Sequence, residues 1–186
     1  VRFETIRGKT QNKRTVDVRA EIAGKVLSRS VEKGDKVVAG EVLCELAMED
    51  RQSSLVEAKE AVTQAQLEYK GAQRLKAKGY NSENAIATAR AKLARTLAVL
   101  DRRELNIAKT QIRAPFEGLI ENVGVEVGDY IMTGATCATV VDLNPMLIVG
   151  RVSEKSILDI QTGIIAGGIL TDGREVQGPI TFVGQQ

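Results

Sequence analysis

Residues 15–47 and 109–141 repeat each other without a gap at a constant offset of 94. Ala20 falls on Ala114, Gly24 on Gly118, Val31 on Val125 and Glu32 on Glu126. Gly34-Asp35 falls on Gly128-Asp129, and Gly40 on Gly134. Apolar positions follow the same offset: Val26 with Ile120, Val37 with Ile131, Leu46 with Val140. A segment of this size cannot bury enough surface to fold alone, so the two copies predict half-domains that close on each other as a small β-sandwich. Each half reads as strand, turn, strand, turn, strand. Gly24 and Gly118 mark a tight bend or a close strand crossing. Gly34-Asp35 and Gly128-Asp129 are turn dipeptides, with Gly40 and Gly134 closing the following turn.

The segment between the halves has a different composition. Residues 50–110 hold two of the seventeen glycines, Gly71 and Gly79, none of the three prolines, and twelve alanines. Leu55, Ala58, Val62, Ala65, Tyr69 and Ala72 recur at helical spacing. After a break at Lys78-Gly79-Tyr80-Asn81, so do Ile86, Ala89, Leu93, Thr96, Leu100, Arg103 and Ile107. A second stripe, Ala87, Ala91, Ala94, Ala98 and Leu105, runs beside it. Two helices of about 26 residues, each about 40 Å long, form an antiparallel coiled-coil hairpin with narrow apolar seams and polar outer faces. The alternative is a plain two-helix layer on a sheet, which needs a broader apolar face. Gly79 ends the first helix, and Ser82, or alternatively Asn81, caps the second.

Beyond the second half, 146–152, 164–170 and 175–183 read as strands, with a turn at 171–174 and a short helix from Ser153 to Gln161. The opening Val1-Arg2-Phe3-Glu4 reads like the middle of a strand, and the chain is expected to be a piece of a longer one. No run of about 18 apolar residues occurs.

Charge and residue usage narrow the function. Lys plus Arg number 26 and Asp plus Glu 24, a net +2, which carries no nucleic-acid signature. There is no His for imidazole catalysis and no Trp for base stacking. A Ser–Lys dyad has no framing motif. Gly163–Gly168 lacks the Lys-Ser/Thr of a phosphate loop and reads as glycine in a strand or bend. Met48, Met132 and Met146 show no metal-ligand spacing and are expected to fill the core. Cys44 shares parity with Val42 and Leu46, whereas Cys137 aligns with Leu43. The two are therefore expected on different faces, as small buried hydrophobes, with a disulfide as the alternative. Residues 50–110 hold twelve basic and seven acidic groups. Lys70, Arg74, Lys76 and Lys78 occur with no acid from 69 to 82. That run is either an ordinary solvated helix end or an electropositive docking surface.

The stretches 16–26, 31–43, 112–120, 125–134, 142–145 and 147–182, in this order around a helical insertion, resemble the periplasmic adaptors, or membrane fusion proteins, of tripartite efflux pumps. Each half resembles half of a lipoyl or biotinyl carrier domain, although Glu49 stands where a carrier has its lysine and 140–143 offers none. The resemblance implies a multi-domain α+β chain: a lipoyl-like β-sandwich (15–49 and 109–143), interrupted by an α-helical hairpin (50–108), plus part of a β-barrel (144–186) to which 1–14 contribute a return strand. It implies no catalysis and no cofactor. The implied partners are an inner-membrane transporter, of the resistance–nodulation–division type for this arrangement, an outer-membrane channel and further copies in a ring. The implied location is the periplasm, with an inner-membrane anchor outside this chain. Adaptors of ABC or major-facilitator exporters, a carrier domain and a generic coiled-coil scaffold are the alternatives. Family members carry an Arg, a Leu four residues later and a Ser seven further on at the channel-docking tip. Leu75 and Ser82 match, Gly71 stands at the Arg position, and Lys70, Arg74 and Lys78 lie nearby as the implied docking residues.

Overall fold

A computed structural model describes residues 5–80, 82–152 and 160–184. Asn81 and the greater part of the expected helix from Ser153 lie outside the described residues. The elements run β1 (Gly8–Gln11), β2 (Arg14–Arg19), β3 (Gly24–Arg29), β4 (Lys36–Val37), β5 (Val42–Leu46), α1 (Arg51–Ala77), α2 (Glu83–Ala108), β6 (Gln111–Arg113), β7 (Gly118–Val123), β8 (Tyr130–Ile131), β9 (Thr136–Asp142), β10 (Leu147–Gly150), β11 (Ile165–Ile169) and β12 (Glu175–Pro179). They divide between two compact units, residues 12–145 and residues 1–11 with 146–186.

The larger unit holds two four-stranded sheets, ordered β2-β9-β7-β4 and β6-β5-β3-β8. The offset of 94 converts one sheet into the other: β2 matches β6, β9 matches β5, β7 matches β3 and β4 matches β8. Each sheet therefore takes strands from both halves. The short strand after each Gly-Asp turn crosses over, β4 pairing with β7 and β8 with β3. Backbone bonds repeat the exchange: Gly34 N–H donates to Ile120 O at 2.8 Å and Gly128 N–H to Val26 O at 2.9 Å. Gly40 N–H reaches Ala114 O at 2.8 Å, and Gly134 N–H reaches Ala20 O at 2.7 Å. In each turn the Asp carboxylate accepts from the backbone three residues earlier, Asp35 from Glu32 at 2.7 Å and Asp129 from Glu126 at 2.9 Å. The glycines have φ of +97° (Gly34), +100° (Gly128), +84° (Gly40) and +91° (Gly134), left-handed conformations that a Cβ disfavours.

The core is built from offset pairs buried in both halves: Ala20 and Ala114, Val26 and Ile120, Val31 and Val125, Val37 and Ile131, Leu46 and Val140. Close approach is required at Gly118, where a Cβ would collide with the Val141 carbonyl oxygen. Its mate Gly24 is buried but has ordinary clearance, 3.5 Å to the Leu46 Cβ.

Two expectations fail here. Cys44 and Cys137 do not face different sides; they are fully buried and joined as a disulfide. Strict alternation breaks because register shifts interrupt the ladders that β5 makes with β3 and β6. Leu43 and Cys44 both turn inward, as do their mates Cys137 and Ala138. The methionines do not fill the core either. Met132 and Met146 are exposed and Met48 is half-buried. Met132 follows β8 in a turn, where its mate Val38 is equally exposed.

The helices are 27 and 26 residues long and run antiparallel, with Glu68 bonded to Lys92 and Lys76 to Glu83, each at 2.7 Å. Ala58, Val62, Ala65 and Ala72 of α1 are buried, while α2 buries no residue fully. The stripe Ala87, Ala91, Ala94, Ala98 and Leu105 lies on the exposed side of α2.

In the smaller unit β1 pairs antiparallel with β10, and β11 pairs with β12 through a turn in which Gly173 has φ +84°.

Candidate functional site

The helix pair leaves the sandwich between β5 and β6, which pair with each other, so its two ends start side by side. Arg51 opens α1 and ties it down. Its guanidinium donates to Ala47 O at 2.9 Å and Ala23 O at 2.8 Å and lies 3.7 Å from Glu49. Lys109, at the far end of α2, pairs with Glu21 at 3.0 Å. Glu49, at the carrier-lysine position, has φ +48°, a conformation uncommon for a residue with a Cβ. On the same sandwich Arg14 lies 3.8 Å over the Phe116 ring and bonds Asp142 at 3.0 Å. The Asn144 N–H, then Arg14, hold the Asp142 carboxyl below its ordinary range.

The opposite end of the pair is the candidate site. The first helix stops at Lys78 through two bonds: Gly79 N–H to Lys76 O at 2.8 Å and Tyr80 N–H to Leu75 O at 2.9 Å. With Gly79 at φ +79°, this is the Schellman arrangement, and it satisfies carbonyls that the helix end leaves open. The second helix starts at Ser82, whose hydroxyl accepts from Ala85 N–H at 3.3 Å. Arg74 and Lys76 in the last turn of α1 complement its dipole.

Of the docking residues implied by the resemblance, Lys70, Arg74, Leu75, Lys78 and Ser82 are all exposed, Leu75 at 48%. Lys70, Arg74 and Lys78 form no ion pair among the described residues. Lys76 does: Glu83, one residue beyond the acid-free run, neutralises it and is itself held below the ordinary carboxylate range by that lysine. Sequence reasoning missed this pair because the break between the helices hides a partner seven positions away. It also passed over Tyr80, which at 80% exposure is the most open apolar group of the tip. The signal was present: an apolar residue on each side of a helix-ending Lys-Gly. Gly71 is half-buried, and a Cβ there would meet no atom within 4 Å. The last turns of α1 and the turn after it thus expose Leu75 and Tyr80 together with Lys70, Arg74 and Lys78, which have no ion-pair partner among the described residues. Among the described residues no group of three or more His, Cys, Asp or Glu could hold a metal, and no helix is long and apolar enough to cross a membrane.

Two strand-exchanged half-motifs with a helix pair inserted between them define a barrel-sandwich hybrid. A family model described as RND MFP, barrel-sandwich hybrid domain, matches residues 14–143, and the chain belongs to that family, the membrane fusion or periplasmic adaptor proteins. Escherichia coli YdhJ, itself described as uncharacterized, is 23% identical over 184 residues, covering 91% of this chain and 65% of YdhJ. A crystal structure of a MacA–MexA chimera carrying the Pseudomonas aeruginosa MexA α-hairpin is 25% identical, with a TM-score of 0.84. It covers 94% of this chain and 63% of the chimera. A membrane fusion protein of Streptococcus pneumoniae has the same fold, with a TM-score of 0.77 at 17% identity, over 96% of this chain and 82% of its own. The chain therefore spans under two thirds of YdhJ and of the chimera.

Proposed function

We propose that this chain is the central part of a periplasmic adaptor that joins an inner-membrane efflux transporter to an outer-membrane channel and acts mechanically, without catalysis or cofactor. The observation that carries the reading is the helix pair, ended by an exposed apolar and cationic tip, inside a domain that the membrane fusion family model matches. The pair acts as a coiled-coil strut. At its base Arg51 and Lys109 fix it to a lipoyl-like spacer, and at its tip Leu75 and Tyr80 supply apolar contact. Lys70, Arg74 and Lys78 orient the tip on an acidic or carbonyl-rich channel rim; such charges steer and set register more than they add affinity. Residues 146–186 with 1–11 contribute to a β-barrel that contacts the transporter, of the resistance–nodulation–division type. Several copies stand in a ring when the whole protein is assembled.

The test is charge reversal at the tip. The pair Arg74→Glu and Lys78→Glu, in the full-length protein at normal expression, is expected to abolish crosslinking to the channel and to raise drug sensitivity while leaving helix content unchanged. Unchanged crosslinking and resistance overturn the docking role of the tip.

A further inference from the structure

The sandwich has two equivalent exits. At the offset of 94 the pair β5–β6, from which the helices leave, corresponds to the pair β9–β2, which residues 143–146 leave and residues 12–13 enter. The exits are secured in opposite ways. The β5–β6 ladder ends at Glu45 and Gln111, and the Arg51 guanidinium then reaches back to two carbonyls. Pro145 stands at the position that matches Arg51 and has no side-chain donor. The β9–β2 ladder instead runs three pairs further, to Asp142 and Arg14.

Asp142 is the only buried ionisable residue among the described residues. Each of its three oxygens accepts from a different group. Oδ2 accepts from Arg14 Nε at 3.0 Å, Oδ1 from the Asn144 N–H at 3.1 Å, and the carbonyl from the Lys13 N–H at 3.0 Å. Lys13 and Arg14 belong to the incoming chain, Asn144 to the outgoing one. Lys13 and Arg14 are also the cations that act on the carboxylate. Arg14 is held in turn by the ring of Phe116, a core residue. A buried carboxylate deprived of its charged partner is costly, so these contacts hold or fail together.

We infer that Asp142 is a positioning residue, a clamp that makes the incoming chain at 13–14 and the outgoing chain at 143–144 one stem instead of two independent linkers. This deepens the adaptor reading, and its mechanical consequence rests on that reading. A single stem delivers to the sandwich a pull or twist that two loose linkers would absorb. The sandwich hands it to a helix pair whose base is fixed by Arg51 and Lys109.

The experiment is residue-resolved amide hydrogen exchange on this 186-residue chain, with Arg14→Met, Asp142→Ala and the double variant. Arg14 is half exposed and methionine keeps an apolar stem over Phe116, so Arg14→Met retains the fold. Its diagnostic readout lies on the other chain: exchange at Asn144 is expected to quicken about tenfold, the loss of one charge-assisted bond, while the Val26 and Ile120 amides keep native rates. Asp142→Ala is expected to quicken Lys13 and Asn144 together, and the double variant to exchange no faster than Asp142→Ala alone. Native exchange at Asn144 in Arg14→Met overturns the clamp, as does a double variant in which the two effects multiply. In the full-length protein Arg14→Met is expected to lower drug resistance with channel crosslinking through the tip unchanged; native resistance overturns the mechanical consequence. The exchange measurements need no partner, so they fail or succeed independently of the adaptor reading, which the tip variant judges.

Discussion

Removing the Cys44–Cys137 link is expected to take away a large share of the stability of the sandwich. The bridge joins β5 of one sheet to β9 of the other, spans 93 positions and encloses the whole helix pair. In the chain-entropy account, closing a loop of that length restrains the unfolded chain by about 4–5 kcal/mol. Net stabilities of single domains run about 5–15 kcal/mol, so the bridge decides whether the unit stands well clear of unfolding. The perturbation is Cys44→Ala with Cys137→Ala, compared with the native chain, oxidised and reduced. Alanine is the smallest change here, since Ala138 already occupies the position that matches Cys44. Urea unfolding is followed by circular dichroism. With a slope of about 2 kcal/mol per molar, the midpoint is expected to fall by about 2 M. The slope itself is expected to rise, because an uncrosslinked unfolded chain exposes more surface. The reduced native chain should unfold close to the double variant. Midpoints within about 0.5 M for the oxidised chain and the double variant, at an unchanged slope, refute the idea that the bridge restrains the two halves.

Two further outcomes follow. Gly71 sits inside α1 with open space where a Cβ would go, so Gly71→Ala is expected to stabilise the helix pair by about 1 kcal/mol, read as a higher melting temperature of the helical signal; no rise refutes the assignment of Gly71 to a regular helical turn. The carboxyls of Glu68 and Glu83 are both held below their ordinary value of 4.5, first by hydrogen bonds from Lys92 and Lys76 respectively. A depressed folded-state value means stability that is present above 4.5 and lost as the pH falls through the lowered value. The helical signal of native protein should therefore weaken progressively below that point, and Glu68→Gln should remove part of the pH dependence; an identical acid profile for that variant refutes the role of the pair.

How much of this was legible in the residues depends on whether a pattern was local. The Gly-Asp turns were readable because one dipeptide determines both the positive φ and the carboxylate that accepts from the backbone three residues earlier. The helices were readable because their spacing persists over several turns and Gly79 supplies an unambiguous stop. The exchange of β4 and β8 between the sheets was not: a repeat shows that two halves are alike, yet like halves form the same core whether each keeps or trades its short strand. The cysteines misled for a related reason. Period-two counting assumes an uninterrupted ladder, and the register shifts along β5 turn two successive residues inward. At the tip, the spacing of Lys70, Arg74 and Lys78 described charge but not pairing, and only the three-dimensional turn shows Lys76 spent on Glu83 and Tyr80 left in the open. The same limit explains the alanines of α2. Their spacing announces a face fit for close packing without saying against what, and with α1 lying against the other stripe, that face stays exposed in the single chain.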